Sequence, residues 1–169
     1  MNSQELPDAD IIFAELVDRM RGAIAFEAAF VGIYSGGAWL AERLAAAIPG
    51  EHALGYIDVS FYRDDYSRTG LKPGTKRTAL PFDVEGATII LVDDVLYTGR
   101  SVRAAINELF DFGRPARIEL AVLVDRGGRE LPIEPTYCGA RLLAARDVSI
   151  VLSRDNDGRL TLATEKTAT

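Results

Sequence analysis

Residues 89–101 read IILVDDVLYTGRS: an apolar run, the acidic pair Asp93 and Asp94, then a polar turn through Thr98, Gly99, Arg100 and Ser101. The β-branched run at 88–92 predicts a buried strand, and residues 101–112 carry a helical pattern. This is a strand, a tight turn and a helix. Ligands of open α/β sheets bind beyond the carboxyl ends of the strands, where this turn falls. A glycine-containing turn that opens a helix offers unpaired N–H groups and the positive end of the helix dipole, and Thr98 and Ser101 add hydroxyls. That set suits a phosphate. Two carboxylates just upstream suit ribose hydroxyls and a hydrated Mg²⁺. The plainer alternative is that the acids only close the strand and Thr98 or Ser101 only caps the helix. Adjacent acids repel each other, however, and a cap needs only one.

Working outward, Ile12, Leu16, Met20 and Ile24 recur at every fourth position, with Asp18, Arg19 and Arg21 interleaved. That spacing predicts an amphipathic helix over 10–26, within an amino-terminal unit of residues 1–28. Residues 29–34 (AFVGIY) predict a strand, which Ser35-Gly36-Gly37 breaks before a helix over 39–48. Residues 54–61 are strand-like. The polar stretch 62–81 predicts an exposed loop or hairpin, and loops of that length are usually functional or disordered. After the breaker Gly113-Arg114-Pro115, residues 118–124 (IELAVLV) predict another buried strand. Short strands follow from Tyr137, and 165–169 are expected to fray as a tail. Alternating strands and helices predict one α/β domain over 1–169, a mostly parallel twisted sheet flanked by helices.

The chain has 169 residues, of which 48% are hydrophobic, enough for one core. Its single cysteine, Cys138, cannot form an intrachain disulfide, and nothing in the sequence resembles a signal peptide, so a reducing cytoplasm is expected. No apolar run approaches the roughly 18 residues of a membrane span. The formal net charge of -6 and pI of about 4.9 oppose phosphate backbones, so nucleic-acid binding would need a local basic patch.

A ligand with a phosphate at one end and a ribose diol beside it satisfies the turn and the acids together. Phosphoribosyl pyrophosphate (PRPP) is such a ligand. The segment resembles the PRPP-binding signature of type I phosphoribosyltransferases, and VDDVLYTGRS followed by ELFDFGRP is similar to PyrR proteins, the pyrimidine-operon regulators. IDVSFYRDD at 57–65 and LAVLVDRGGRELPI at 120–133 extend the likeness in the same order, over residues 30–142. The resemblance implies a type I phosphoribosyltransferase fold with a flexible loop at 62–81 and a small hood. It also implies transfer of phosphoribosyl from PRPP to uracil, giving UMP and pyrophosphate, with Mg²⁺ and a homodimer or higher homo-oligomer.

By that resemblance Asp93 and Asp94 are the catalytic pair, hold the ribose hydroxyls and organise Mg²⁺, partly through water. Val95, Leu96, Tyr97, Thr98, Gly99, Arg100 and Ser101 form the 5′-phosphate segment. Ser35, Gly36, Gly37, Arg63, Lys76 and Arg77 are candidates for pyrophosphate, although any one loop cation reads equally well as a solvated charge. Asp125, Arg126, Gly127 and Gly128 are candidates for uracil, through main-chain groups and an Arg126 that covers the ring; a plain turn between strands is the alternative. Tyr97 and Trp39 read as packing residues, and His52 as exposed and uninvolved.

Three departures matter. Ser35-Gly36-Gly37 stands where many PyrR proteins have Thr-Arg-Gly, Gly128 where the family often has His, and residues 11–20 lack the Thr-Arg…His pattern tied to RNA binding. RNA binding is therefore expected to be weak or absent. The rival functions are transfer to another base, a nucleotide sensor that binds UMP without turnover, and a phosphoacceptor receiver domain. In receivers the acid pair follows the first strand, which disfavours the last.

Overall fold

The computed structural model describes residues 5–60 and 77–167. In chain order its elements are α1 (Ala9–Met20), β1 (Ala29–Ile33), α2 (Gly36–Ala47), β2 (Leu54–Ile57), β3 (Thr88–Leu96), α3 (Arg100–Phe112), β4 (Arg117–Asp125), β5 (Tyr137–Arg141), β6 (Val148–Arg154) and β7 (Leu160–Lys166). The first five strands form one sheet in the order β2-β1-β3-β4-β5, with every neighbouring pair parallel. β6 and β7 pair antiparallel as a separate hairpin.

Both faces of the sheet are covered, which is why its strands read as continuous apolar runs. Phe30, Ile90, Val92, Ala121 and Leu123 pack with α1, α2 and the hairpin residues Ile150, Leu152 and Leu160. The alternate positions Val31, Ile33, Ile89, Leu91, Leu120 and Val122 pack with Val102, Ala105 and Leu109 of α3. The period of two along each strand thus divides one core into two layers.

Several boundaries differ from the sequence reading. α1 stops at Met20, short of Phe26, because the chain turns at Gly22, whose φ is +81°. Ile24 only continued the spacing by coincidence. β3 runs on to Leu96, so the acidic pair lies within the strand and does not follow it: β4 is equally long and keeps supplying partners, pairing Asp93 with Val122 and Val95 with Val124. α2 starts at Gly36, three residues early. A Cβ on Gly37 would come within 2.4 Å of the Val92 carbonyl oxygen, so only glycine lets the helix rest on the sheet there. Of the tail expected to fray over 165–169, Glu165 and Lys166 instead complete β7, paired to Ser149 and Val148, while 168–169 lie outside the described residues.

The expected loop at 62–81 lies mostly outside the described residues, Arg63 and Lys76 included. Its returning end is anchored. Tyr56 and Ala79 exchange main-chain hydrogen bonds of 2.8 and 2.9 Å, and the Thr78 hydroxyl donates to Glu108 on α3 while accepting from the Asp58 N–H at 3.2 Å. Among the described residues no helix is long and apolar enough to cross a membrane.

Candidate functional site

Asp93 and Asp94 sit near the carboxyl end of the central strand, at the floor of a cleft of about 260 Å³. Strand geometry sends adjacent side chains to opposite faces, so the pair straddles β3. Asp93 is 6% exposed, and its Oδ1 accepts the Asp94 N–H at 2.9 Å. Oδ1 of Asp94 accepts the Val95 N–H at 2.8 Å. Its other oxygen lies against α2, where a Cβ on Gly36 would stand 2.3 Å from Oδ2. The departure Ser35-Gly36-Gly37 therefore has a packing reason: the Asp94 carboxylate fills the space that a side chain at 36 would need. Ser35 itself is exposed and makes no side-chain cap.

The turn at 97–99 carries the chain from β3 into α3. Gly99 has a φ of +92°, a left-handed conformation that favours glycine, and a Cβ there would meet Ile133 at 3.0 Å. The buried Thr98 hydroxyl accepts the Arg100 N–H at 3.2 Å. Arg100 directs its guanidinium to Glu130 at 2.9 Å, so it offers the site main chain and not charge. Leu96 is core, while Val95, Tyr97 and Ser101 line the cleft.

The segment after β4 departs most from expectation. Asp125 is 3% exposed and takes a two-pronged ion pair from Arg129, Nη1 to Oδ1 at 2.9 Å and Nη2 to Oδ2 at 2.7 Å. Burial by itself would raise the Asp125 carboxyl. The hydrogen bonds from Arg129 and from the Gly127 N–H, with the charges of Arg129 and Arg141, outweigh it and hold the group below the usual carboxylate range. The stability this pair supplies is therefore complete above the unfolded value of about 3.9, and is lost only as pH falls through the lower folded value. Its side chain is fully engaged.

Arg126 lines the cleft with its guanidinium held in place. Its guanidinium stacks 3.9 Å over the Tyr97 ring, and Nη2 donates to the Ala145 carbonyl at 2.7 Å. Tyr97 is thus a wall of the cleft as well as a packing residue. Gly128, with a φ of +81°, sits against the same ring, where a Cβ would come within 2.4 Å of Cε2. A histidine at 128 would displace Tyr97, which explains how that departure and this stack go together. Gly127 also has a positive φ, +73°.

The wall that sequence reasoning missed is β6, where Ser149, Ile150, Val151 and Leu152 close the cleft opposite the acids. Thr167 N–H bonds Asp147 O, and Asp155 N–H bonds Arg159 O, which fixes the hydrogen-bonded pairs of the hairpin at odd positions of β6. Main-chain groups of Ile150 and Leu152 therefore project from the edge of β6 that pairs with no other strand among the described residues. No side-chain motif could have signalled this. Of the remaining predicted residues, Arg77 is exposed and is not among the residues that line the cleft, and His52 bonds the Ala28 carbonyl at 2.7 Å in a structural role.

Residues 10–142 match the model of the phosphoribosyl transferase domain family. The chain is 51% identical to the "Bifunctional protein PyrR" of Ralstonia nicotianae, over 94% of this chain and 92% of that one. It is 48% identical to the protein of that name from Pseudomonas paraeruginosa, over 82% and 86%. Among solved structures, a hypoxanthine phosphoribosyltransferase from Staphylococcus aureus superimposes with a TM-score of 0.63 at 21% identity, over 86% and 80%. A hypoxanthine-guanine phosphoribosyltransferase from Bacillus anthracis gives 0.64 at 15%, over 88% of both chains. These two establish the fold.

Proposed function

The chain belongs to the phosphoribosyltransferase domain family and, within it, to the PyrR proteins, and on that footing we propose that it transfers phosphoribosyl from PRPP to N1 of uracil, releasing UMP and pyrophosphate. The observation that carries this reading is the cleft itself: an acid pair, a helix-opening turn and an unpaired strand edge meet at one end of the sheet. The N–H groups of residues 97–99 and the start of α3 receive the 5′-phosphate. Asp93 and Asp94 accept hydrogen bonds from the ribose hydroxyls and stabilise the positive charge that develops on the sugar as pyrophosphate leaves. The first turn of α2 offers N–H groups to the pyrophosphate.

Two adjacent carboxylates with no further ligand cluster among the described residues fit a Mg²⁺ that keeps much of its water and takes other oxygens from the substrate. Asp93 and Asp94 would hold such an ion, which when bound would supply charge stabilisation to the departing pyrophosphate. Incubation with PRPP, Mg²⁺ and radiolabelled uracil tests the proposal. UMP is the expected product; hypoxanthine, guanine or orotate consumed in its place would reassign the base, and UMP binding without turnover would make the protein a sensor.

The base lies against β6, with uracil N3–H donating to the Ile150 carbonyl and a ring carbonyl accepting from the Leu152 N–H. Methylation at N3 removes the donor and leaves the Ile150 carbonyl unpaired, which costs about tenfold or more in kcat/KM against uracil. Equal kinetics for 3-methyluracil would remove this edge from base recognition.

Leader-RNA binding is expected to be weak. Arg19 donates to the Gly139 carbonyl at 2.9 Å and Arg141 lies 3.9 Å from Asp125, which engages two of the arginines on the first helix and the later strands. Arg21, Arg103, Arg114 and Arg146 make no ion pair among the described residues, and they are scattered in a field of net charge -6. Filter binding of a pyrimidine-operon leader with UMP, at about 0.15 M salt, should give no submicromolar selective complex. Such a complex would restore RNA as a partner, with arginines pooled between two copies of the chain.

A further inference from the structure

Three consecutive carbonyls of the turn, those of Leu96, Tyr97 and Thr98, are all held by the segment that follows β4. Leu96 O accepts the Arg126 N–H at 3.0 Å, and Thr98 O accepts the N–H groups of Glu130 and Leu131 at 3.0 and 3.1 Å. Tyr97 O accepts Nη1 of Arg129 at 3.0 Å. In a planar trans peptide the carbonyl and the next N–H point in opposite directions. Holding these carbonyls therefore turns the N–H groups of Tyr97, Thr98 and Gly99 away from the segment together. Among the described residues none of the three has a main-chain or side-chain acceptor. They form a concavity of donors of the kind that binds anions.

Arg129 is the one side chain in this set of holding groups. It is 17% exposed and fixed at every nitrogen: Nε donates to Ile133 O at 2.7 Å, Nη1 and Nη2 grip Asp125, and Nη2 reaches Glu134 at 3.3 Å. We propose that Arg129, locked by Asp125, is a positioning residue for the 5′-phosphate: it holds the Tyr97 carbonyl outward and so aims the N–H groups of the turn at the ligand. The inference rests on the reading of this turn as a 5′-phosphate site. Only a planar fork spans the Asp125 carboxylate and the Tyr97 and Ile133 carbonyls at once, so lysine, with the same charge, cannot replace it.

Calorimetry of R129K with UMP and with uridine tests this, because the two ligands differ only in the phosphate. The expected result is a loss of UMP affinity of about tenfold or more, with uridine affinity within about twofold of wild type. In turnover, the KM for PRPP should rise more than kcat falls. A cooperatively folded R129K that binds UMP as wild type does, or that loses UMP and uridine equally, would overturn the positioning role. Should R129K not fold, Asp125→Asn loosens Arg129 without touching the turn; preferential loss of UMP again supports the role, and equal loss or no loss overturns it. Wild-type protein that binds UMP no tighter than uridine would instead sink the 5′-phosphate reading, and the inference with it.

Discussion

Replacing Asp93 or Asp94 with asparagine is expected to lower UMP formation by about 10²-fold or more while leaving thermal unfolding almost unchanged. The two effects separate because the local hydrogen bonds survive the change. Oδ1 of each residue accepts a main-chain N–H, from Asp94 and Val95 respectively, and an asparagine oxygen does the same. What disappears is negative charge in a cleft partly shielded from water, where charge matters most to the transition state. Initial rates with saturating PRPP and uracil, paired with melting curves, check both halves. Near-normal transfer in both variants of an active protein would show that this pair does not act on the sugar.

Gly99→Val is expected to weaken UMP and PRPP together by at least about tenfold, since both present a 5′-phosphate to the same turn. The backbone there has a φ of +92°, which a β-branched residue resists, and the new Cβ would press on Ile133 at 3.0 Å. Relief of either strain rotates the peptides whose N–H groups face the ligand. Binding of free uracil should change less, because β6 is untouched. Thr98→Ala acts in the same direction and more weakly, since it removes only the hydroxyl that accepts the Arg100 N–H. Unaltered UMP affinity in Gly99→Val, measured by calorimetry, would place the phosphate elsewhere.

How far the sequence could be read depended on whether a signal was local. The strand over 88–92, the turn at Gly99 and the helix to Phe112 announce themselves through neighbours in the chain, and the structure has all three. Extension of β3 past the acids was not local, because it depends on how many partners β4 offers. The end of α1 at Gly22 was half legible: the glycine was visible, but Ile24 extended the apolar period across it.

The candidate site divides in the same way. Asp93, Asp94 and the glycine turn lie within one continuous segment, so chain order alone brings them together. Arg126 lines the cleft and Asp125 does not, and their side chains are held by Tyr97 and Arg129, partners that only packing reveals. The edge of β6 was invisible, because main-chain groups are the same in every residue and become a site only where pairing leaves them free.

The sequence by itself determined the α/β alternation, the acid pair and the glycine turn, since each rests on steric or electrostatic preferences of residues adjacent in the chain. Only folding decided which arginines are engaged, which donors hold the carbonyls of the glycine turn and which strand joins the acids in lining the cleft. Those follow from contacts across long stretches of chain, such as Arg129 with Tyr97 and Arg126 with Ala145, and burial makes each polar group take whatever partner the fold brings near.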